Sequence, residues 1–506
     1  MASARDVIRI PKFDDDQVDI RIDGRLDEAM WQRIPVREEI RFVVLEPDTL
    51  EEAPWETRLR LFYTSEGLYV GVWNEQPVDT LVSRLSSRDS FIPRDDIGFT
   101  LDPTGEGLYA YWFGVNLGGT LQDGTVLPER QFNNQWDGPW DGASAEHDQG
   151  WSAEFFIPWS MMSMPEQGGN SRTMGFYMSR EVAHRNERWG YPALPRTAGI
   201  FLSQLQQIEL EGISPKQQFT FYPFTSATWD NAAEEDHYQA GFDFYWRPTS
   251  NLQFTATVNP DFGNVESDDV VVNLTSFETF YPEKRPFFLE GNEIFVTTPR
   301  ARERRGRPPT LVNTRRIGGP PVFPDIPGLR LPDLEENQPS ALDGAVKVTG
   351  QNGKFRYGAL VAMEEDTKLH GTVNGAPVFI DQDGRDFGIA RFLYEDTLAG
   401  GRRALGWIST TVLHPQGDAL VHGVDGHYLT ADGSWNTDAQ LVYSDVEDVS
   451  GGAGFVDLTL RPARCKRHHL PMEYFYHAAD FNTLAFLLRP PHLPPPLSFP
   501  ATPPPP

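Results

Sequence analysis

Carboxylate side chains are the groups in this chain best able to do chemistry, and three of them flank one short apolar run. Asp95, Asp96 and Asp102 enclose residues 97–101, whose composition is typical of a β-strand. Carboxylate oxygens are the ligands that Ca²⁺ prefers, so these three residues are candidates for a calcium site. They do not follow the spacing of an EF-hand loop, and a solvated turn is the favoured alternative. The sequence thus predicts no cofactor, with calcium left as an open alternative.

A second group of carboxylates lies within residues 259–295, a run rich in prolines, glycines, charges and aromatic rings. Glu278, Glu283 and Glu290 are candidates for general acid/base catalysis. No paired-carboxylate geometry follows from their spacing, and no nucleophile motif lies nearby. A packed structural segment is the favoured alternative.

Residues 282–288 (PEKRPFF) show what such a segment would look like. Two prolines fix a turn in which Glu283 and Arg285 can neutralise each other beside two phenylalanines. Apolar residues at three- and four-residue spacing predict a short helix immediately before it, over residues 267–281. The segment is therefore expected to dock like a plug or a lid.

Composition and charge limit the class of protein. At 506 residues the chain is long enough for two or three domains. Its 44 Lys and Arg against 72 Asp and Glu give a formal net charge of −28, which argues against nucleic acid as a partner. No stretch approaches the roughly 20 apolar residues of a membrane-spanning helix, so any residence in a membrane must use strands. The single cysteine, Cys465, excludes an intrachain disulfide.

Two strand patterns divide the chain. Residues 18–212 contain short strands rich in aromatic and branched residues, with one brief helix at residues 27–33, which is typical of a β-sandwich. In residues 213–465 the strands lengthen toward about ten residues and alternate more cleanly between apolar and polar side chains. This alternation fits an antiparallel β-barrel of the outer-membrane type and a soluble sandwich almost equally well, and periodicity alone does not choose.

Two segments depart from these patterns. Residues 259–340 form a helical and proline-rich insert within the second domain. Residues 466–506 lose the alternation and end in a run of prolines, so this tail is predicted to be disordered. Its abrupt change of character suggests a frameshift, the end of a gene fragment or a foreign extension.

Four motifs of the first domain occur in a fixed order. They are residues 22–31 (IDGRLDEAMW), 67–72 (GLYVGV), 95–102 (DDIGFTLD) and 150–159 (GWSAEFFIPW). Together they resemble the signatures of carbohydrate-binding module family 9. The resemblance implies a jelly-roll-like β-sandwich that acts as a sugar-binding head.

Motifs of the second domain carry a further resemblance. Residues 259–266 (NPDFGNVE), 282–291 (PEKRPFFLEG), 315–318 (RRIG) and 344–350 (GAVKVTG) are similar to an outer-membrane β-barrel domain of unknown function that commonly follows this module in Gram-negative bacteria. The resemblance implies an all-β chain in which the sandwich precedes an antiparallel barrel. It also implies a longer barrel than this chain contains, so the barrel is expected to be incomplete. The expected location is the outer membrane of the cell envelope, although the chain begins without a signal-peptide pattern.

The first resemblance also implies a set of binding residues. Members of the module family hold a sugar between tryptophans and orient its hydroxyls with polar side chains. In this chain the candidate aromatic platforms are Trp112, Trp136, Trp140 and Trp189, and the candidate polar partners are Asn116, Gln135 and Asp137. The loop 132–142 (FNNQWDGPWDG) is the strongest candidate, because two tryptophans among amides, acids and glycines fit core packing poorly. For any single tryptophan, core packing is the favoured alternative.

The chain departs from the family where the sugar would bind. Phe91 and Ile92 stand where the family places a tryptophan, Gly98 replaces a strand glutamate and Gly114 replaces an arginine. Only Asn116 keeps its residue type. The fold signature is therefore preserved better than the binding site.

Three hypotheses follow for function. The leading one is a carbohydrate-binding protein associated with the outer membrane, which captures poly- or oligosaccharide for catabolism or uptake. The enzyme alternative is a glycoside hydrolase acting on O-glycosyl bonds, but no catalytic-domain signature supports it. The third is a structural plug of an outer-membrane barrel that binds no ligand.

Overall fold

The structure is a computed structural model of the chain. It describes residues 7–128, 130–165, 167, 169–213, 217–230, 235–261, 283–297, 311–324, 326–397, 401–447, 449–460 and 470–477. Within these ranges most regular elements are β-strands, which confirms the predicted all-β class. The α-helices are short: α1 (Ala29–Arg33), α2 (Pro286–Leu289) and α3 (Asp333–Glu336). No helix in the described part of the chain is long and apolar enough to cross a membrane.

The first thirteen strands form two facing sheets. They are β1 (Ile8–Arg9), β2 (Val43–Glu46), β3 (Thr57–Tyr63), β4 (Gly67–Glu75), β5 (Asp96–Asp102), β6 (Ala110–Asn116), β7 (Leu121–Leu127), β8 (Gln131–Asn133), β9 (Asp141–His147), β10 (Gly150–Pro158), β11 (Ser171–Val182), β12 (Glu187–Tyr191) and β13 (Gln206–Glu211). One sheet has the order β1-β13-β11-β5-β6-β7-β8, with β12 and β2 attached to β11, and the other has the order β3-β4-β10-β9. Short 3₁₀ helices occur at Asp15–Gln17, Val78–Thr80, Trp159–Met161 and Leu202–Gln204.

The inward-facing side chains of both sheets make one hydrophobic core. Leu59, Val70, Phe113 and Phe155 have no exposed surface, and all four belong to the same cluster. Alternate residues of a strand point to opposite faces of its sheet, so each strand gives every second side chain to this core. The predicted β-sandwich is therefore present, and we call this unit the head (residues 7–213).

Glu154 explains why two of the sequence motifs belong together. It lies on β10 without exposed surface, and its carboxylate accepts hydrogen bonds from Trp31 Nε1 at 2.6 Å, Gly24 N at 2.8 Å and Asp23 N at 2.9 Å. Burial raises the pKa of Glu154 to about 7, and the three donors oppose that shift. These motif residues tie the N-terminal segment to the head and do not form a binding site.

The second unit is a meander of long strands. They are β14 (Gln218–Asp230), β15 (Glu235–Thr249), β16 (Leu252–Val258), β18 (Leu342–Asn352), β19 (Phe355–Glu364), β22 (Asp386–Asp396), β23 (Arg402–Leu413), β24 (Ala419–Leu429), β25 (Trp435–Val446), β26 (Val449–Leu460) and β27 (Leu470–His477). They pair antiparallel in this order as one 11-stranded sheet. Among the described residues its end strands β14 and β27 do not pair with each other. Three short strands, β17 (Leu329–Arg330), β20 (Thr367–Val373) and β21 (Ala376–Gln382), form a separate small sheet.

The buried face of the 11-stranded sheet carries both charged and apolar side chains, and its exposed face carries large apolar ones. Arg356, Arg391 and Asp425 are only 4%, 0% and 1% exposed, whereas Leu441 and Phe355 are 71% and 62% exposed. Soluble sheets normally expose their charged side chains and bury their large apolar ones, so we call the polarity of this sheet inverted, although apolar residues also occur on its buried face.

Residues 283–297 and 311–317, here called the connector, pack on the buried face of the sheet. Phe287 and Phe288 are 2% and 1% exposed and share a cluster with residues of β18 and β19. Polar side chains of the sheet bind the connector backbone: Lys347 Nζ donates to the carbonyl of Phe287, and Arg391 Nε donates to the carbonyl of Ile294 at 3.2 Å. The connector includes 3₁₀ helices at Asn292–Ile294 and Thr314–Arg316.

The connector turn keeps its charges paired, as predicted. Glu283 and Arg285 are 8% and 5% exposed, and Arg285 Nη2 lies 2.7 Å from Glu283 Oε2. Thr314 Oγ1 also donates to Glu283 Oε2, at 2.6 Å, and the guanidinium lies 4.2 Å from the ring centre of Phe288. Because these partners occupy its carboxylate, Glu283 is structural and the acid/base interpretation is not supported. Glu290 is likewise paired, with Arg247.

Some predicted segments differ from the structure or lie outside it. The predicted helix 267–281, with Glu278, falls outside the described residues, as does most of the predicted disordered tail. Within that tail, Leu470–His477 form β27 and pair with β26 from Leu460↔Leu470 to Ala453↔His477, so this stretch is a strand. Its alternation is weak beside the prolines that follow, which is why the sequence did not predict it.

Candidate functional site

A cavity of about 680 Å³ lies between the head and the 11-stranded sheet. One wall is the outward face of the larger head sheet, with side chains from β5, β6, β7 and β11. The opposite wall contains Asn436 of β25 and Asp457 and Thr459 of β26. Loops of the head around residues 91, 132 and 194–201 complete its edge.

Alternation within β5 creates the head wall. Ile97, Phe99 and Leu101 have no exposed surface and belong to the core. The intervening Asp96, Gly98 and Thr100 line the cavity. The neighbouring strands follow the same register, since Gly98 pairs with Gly114 of β6 and with Ser179 of β11.

Two glycines let the Trp112 ring lie close to the sheet. A Cβ atom on Gly98 would lie 3.1 Å from Trp112 Nε1 and 2.9 Å from Ser179 Oγ. A Cβ atom on Gly114 would lie 3.4 Å from Trp112 Cζ2. The indole therefore extends across the positions where larger side chains would stand, and it becomes part of the cavity floor.

Further aromatic rings surround Trp112. The Phe91 ring is nearly parallel to it, with centroids 6.0 Å apart and an interplanar angle of 18°, and Phe132 meets it edge-on at 6.3 Å. Phe91 and Phe132 are 65% and 43% exposed, so they form an apolar rim that is open to solvent. Phe201 packs between Phe132 and Tyr177: its ring is tilted to Phe132 at a centroid distance of 6.1 Å and edge-on to Tyr177 at 5.0 Å.

Polar groups stand beside these rings. Gln122 Nε2 donates to the carbonyl of Ser90 at 2.9 Å, and Arg188 forms an ion pair with Glu181 at 2.9 Å. Asp96 is partly buried. Burial raises its pKa to about 7, Glu181 adds to the shift, and Arg188 and Arg94 oppose it. Near neutral pH its carboxyl group therefore exchanges between a form that donates and a form that only accepts hydrogen bonds.

Most of the predicted tryptophans pack in the core instead. Trp136, Trp140 and Trp189 are 6%, 5% and 0% exposed and belong to the head core. Trp140 stacks on Phe155 with centroids 5.8 Å apart, and Trp136 packs on Tyr111 at 5.0 Å. These three rings are almost completely buried, so the favoured platform becomes Trp112, the one predicted platform that lines the cavity.

The predicted polar partners serve local structure. Asn116 has no exposed surface, and its Oδ1 accepts from Thr120 N at 3.2 Å to close the turn after β6. Asp137 forms an ion pair with Arg88 at 2.7 Å. The backbone N–H of Gln135 donates to Asn133 Oδ1 at 3.2 Å within the loop. None of these three lines the described cavity.

The carboxylates predicted as calcium ligands do not converge. Asp102 Oδ2 accepts from Gly107 N at 2.7 Å and closes a turn, whereas Asp95 joins distant segments by accepting from Val82 N at 2.8 Å and from Ala183 N at 2.9 Å. Asp96 faces the cavity. Asp95 and Asp102 are 0% and 1% exposed, so they are buried structural carboxylates and not the solvated turn that was the favoured alternative.

A different acidic cluster occurs at the edge of the head. Oxygen atoms of Asp89, Asp123 and Asp137 lie within 4.8 Å of one another. Arg88 lies among them, 2.7 Å from Asp123, 2.7 Å from Asp137 and 3.8 Å from Asp89. The guanidinium supplies the positive charge, and we assign the cluster to an ion-pair network.

One family model matches the chain. It is described as a domain of unknown function, DUF5916, and it covers residues 215–371. This agrees with the expected domain of unknown function in the second unit. No curated protein matches the chain in sequence.

Solved structures show weaker similarity. A carbohydrate-binding module of family 9 from Caldicellulosiruptor kristjanssonii, in complex with cellotriose, is 16% identical over 41% of this chain and 95% of its own, with a TM-score of 0.29. Wzi, an outer-membrane protein involved in group 1 capsule assembly in Escherichia coli, described as a carbohydrate-binding β-barrel, is 10% identical over 76% of this chain and 80% of its own, with a TM-score of 0.22. At these identities and scores, no function is transferred to this chain.

Several cavity residues were missed from the sequence. Tyr177 and Phe201 were not predicted, and Gln122 was not singled out. Strand alternation was the available signal, since Tyr177 lies opposite Thr100 and Gln122 lies opposite Gly114 on the face that the core residues leave free. Nothing local to the sequence could have added Asn436 and Thr459, because they come from another unit of the fold.

Proposed function

We propose that this chain binds an oligosaccharide in the cavity between the head and the 11-stranded sheet, with a sugar ring stacked on Trp112. The cavity itself carries the proposal, because it places aromatic faces beside polar side chains. The C–H face of a pyranose packs on an aromatic ring while polar groups orient its hydroxyls. A volume of about 680 Å³ is within the roughly 300–1,000 Å³ of small-molecule sites.

The floor of the cavity suggests how the sugar is held. Gly98 and Gly114 stand where the module family that the head resembles carries charged side chains, and the Trp112 indole extends across that space. A sugar stacked on Trp112 would therefore gain an aromatic contact in place of some of the contacts that those charged side chains could make. Asp96 and Gln122 remain beside the ring as hydrogen-bonding partners.

The inverted polarity of the 11-stranded sheet supports a second part of the proposal, contact with the outer membrane. Leu441, Phe355 and Val361 are 71%, 62% and 53% exposed. An apolar outward face over a polar inward face is the pattern of strands that cross an outer membrane, and water would make such a surface costly. A head on such a sheet would capture glycan at the envelope for catabolism or uptake.

Calorimetric titration of the full chain with cellotriose as the probe tests sugar binding. Trp112→Ala is expected to weaken binding about tenfold or more, equivalent to about 1.4 kcal/mol, because the stacking surface is lost. The matched control is Trp73→Ala, since Trp73 is also partly exposed but stacks on His147 on the other head sheet. The control should bind as the unmodified chain does.

A negative result is meaningful only over a range of sugars. The titration is therefore repeated with an array of neutral and acidic oligosaccharides. Absence of binding to all of them would overturn the proposal, as would equal affinities for the Trp112→Ala and Trp73→Ala variants.

A further inference from the structure

The far wall of the cavity carries polar groups that the head cannot supply. Asn436 on β25 and Thr459 on β26 are 8% and 3% exposed, and both line the cavity. They are direct partners in the antiparallel pairing of these strands, so their side chains lie side by side on one face. Together they offer an amide and a hydroxyl opposite the head wall.

Thr459 brings a hydroxyl group to the cavity wall. Its Oγ1 atom is buried and has no hydrogen-bond partner among the described residues. Buried hydroxyls are nearly always satisfied, because leaving one without a partner opposes folding. Thr410 Oγ1 and Ser444 Oγ are likewise buried without a partner in the described part of the chain, and Thr459 differs from them in that its residue lines the cavity.

The gap between the two walls is set by direct contact at its edge. Gly433, in the turn between β24 and β25, has positive φ (+67°), and a Cβ atom there would lie 3.0 Å from Gly199 Cα of the head. The two backbones meet at this point with no room for a side chain. The cavity therefore lies beside a point of direct contact between the two units.

We propose that the 11-stranded sheet completes the sugar site, with Asn436 and Thr459 binding hydroxyl groups of an oligosaccharide whose first ring stacks on Trp112. This inference rests on the proposed function and specifies its ligand. The volume is that of a site for a drug-sized ligand, which is larger than one sugar ring. Neutral hydroxyls suit the amide and the threonine hydroxyl, each of which can both donate and accept. The ligand class is thus an oligosaccharide that spans both walls.

Variants of the far wall in the full chain test this assignment. Thr459→Val removes the hydroxyl while keeping the shape, and it is expected to weaken cellotriose binding about two- to tenfold, the worth of one neutral hydrogen bond. Asn436→Ala should have an effect of the same size. Binding of glucose, which needs only the Trp112 wall, should change less than about twofold.

A matched control separates binding from stability. Thr410 on β23 is also fully buried with an unpartnered Oγ1, but it does not line the cavity. Thr410→Val should leave cellotriose affinity unchanged, and neither threonine variant should lower the unfolding temperature. If Thr459→Val does not fold, two other measurements test the inference: cellotriose binding by Asn436→Ala, and amide hydrogen exchange of the unmodified chain. Cellotriose is expected to slow exchange in β25 and β26.

The outcomes distinguish the two proposals. If the unmodified chain binds no oligosaccharide, the proposed function fails. If it binds cellotriose and Trp112→Ala weakens binding, while Asn436→Ala and Thr459→Val bind as the unmodified chain does, the head alone holds the sugar and this inference is overturned. Exchange in β25 and β26 that cellotriose does not slow would also overturn it.

Discussion

At the scale of residues, Gly98 and Gly114 shape the floor of the cavity. Their missing side chains leave the space that the Trp112 indole enters. The sequence identified both glycines as departures from the family pattern and named Trp112 as a platform. It could not show that these departures are connected, because the contact joins two strands side by side.

The interpretation of the loop 132–142 had the same limit, because the sequence does not show which residues come into contact. Two tryptophans among polar residues predicted an exposed platform, but Trp136 and Trp140 turn inward and fill the head core. Core packing was the favoured alternative for any single tryptophan. Residue types in a loop do not reveal which side chains point inward.

Asp96 provides a prediction at this scale. Because burial raises its pKa to about 7, and an ionised carboxylate accepts stronger hydrogen bonds from hydroxyls, affinity for cellotriose should rise between about pH 6 and pH 8. Asp96→Asn should remove this dependence. Calorimetric titration across the range measures it, and a pH profile that is the same for both proteins would contradict the assigned role.

The effect of pH on folding stability has the opposite sign to its effect on affinity. A carboxyl whose pKa is raised on folding holds a proton that the unfolded chain has already released, so its contribution to stability is lost as pH rises through about 7. Asp96→Asn should therefore stabilise the ligand-free chain more at pH 8 than at pH 5. Unfolding midpoints at the two pH values provide the comparison.

At the scale of elements, the connector is the segment on which the second unit depends. Its paired turn was predicted from the residues 282–288, because two prolines and adjacent opposite charges constrain the backbone locally. Its docking surface was not predicted, since Arg391 and Gln440 reach it from strands far along the chain. The sequence therefore predicted the pairing of charges within the turn, but not the strands that contact the connector.

Glu283→Gln tests the connector. The substitution leaves Arg285 buried without its charge partner, and removing one member of a buried pair typically costs about 3–5 kcal/mol. The control is Glu56→Gln, because the Glu56–Arg58 pair is 55% and 44% exposed and exposed pairs contribute about 0–1 kcal/mol. Denaturant unfolding in detergent gives both values. A loss below about 1 kcal/mol for Glu283→Gln would show that the connector is not held by this pair.

At the scale of the whole molecule, the inverted sheet distinguishes the two units. The alternation of apolar and polar residues predicted strands in the second unit. It could not distinguish a barrel from a soluble sandwich, because the period is two residues in both. Only the fold reveals that charged side chains such as Arg391 and Asp425 are buried while Leu441 and Phe355 are exposed. The cavity likewise combines positions 96–134 with 436–459, a juxtaposition that no local pattern contains.

Leu441→Lys tests whether the apolar face contacts lipid. A lysine facing the bilayer midplane costs about 2–4 kcal/mol, so insertion of the refolded chain into liposomes should fall. Leu85→Lys is the control, because Leu85 is 84% exposed but belongs to the head. The fraction resistant to protease and to urea extraction measures insertion. Equal fractions for the two variants would contradict lipid contact.

The most direct test of the central claim is an experimental structure of the full chain with bound cellotriose. The account predicts a sugar ring stacked on Trp112 and a further ring whose hydroxyls contact Asn436 and Thr459. Sugar density at Trp136 and Trp140, or anywhere else outside the cavity, would contradict it.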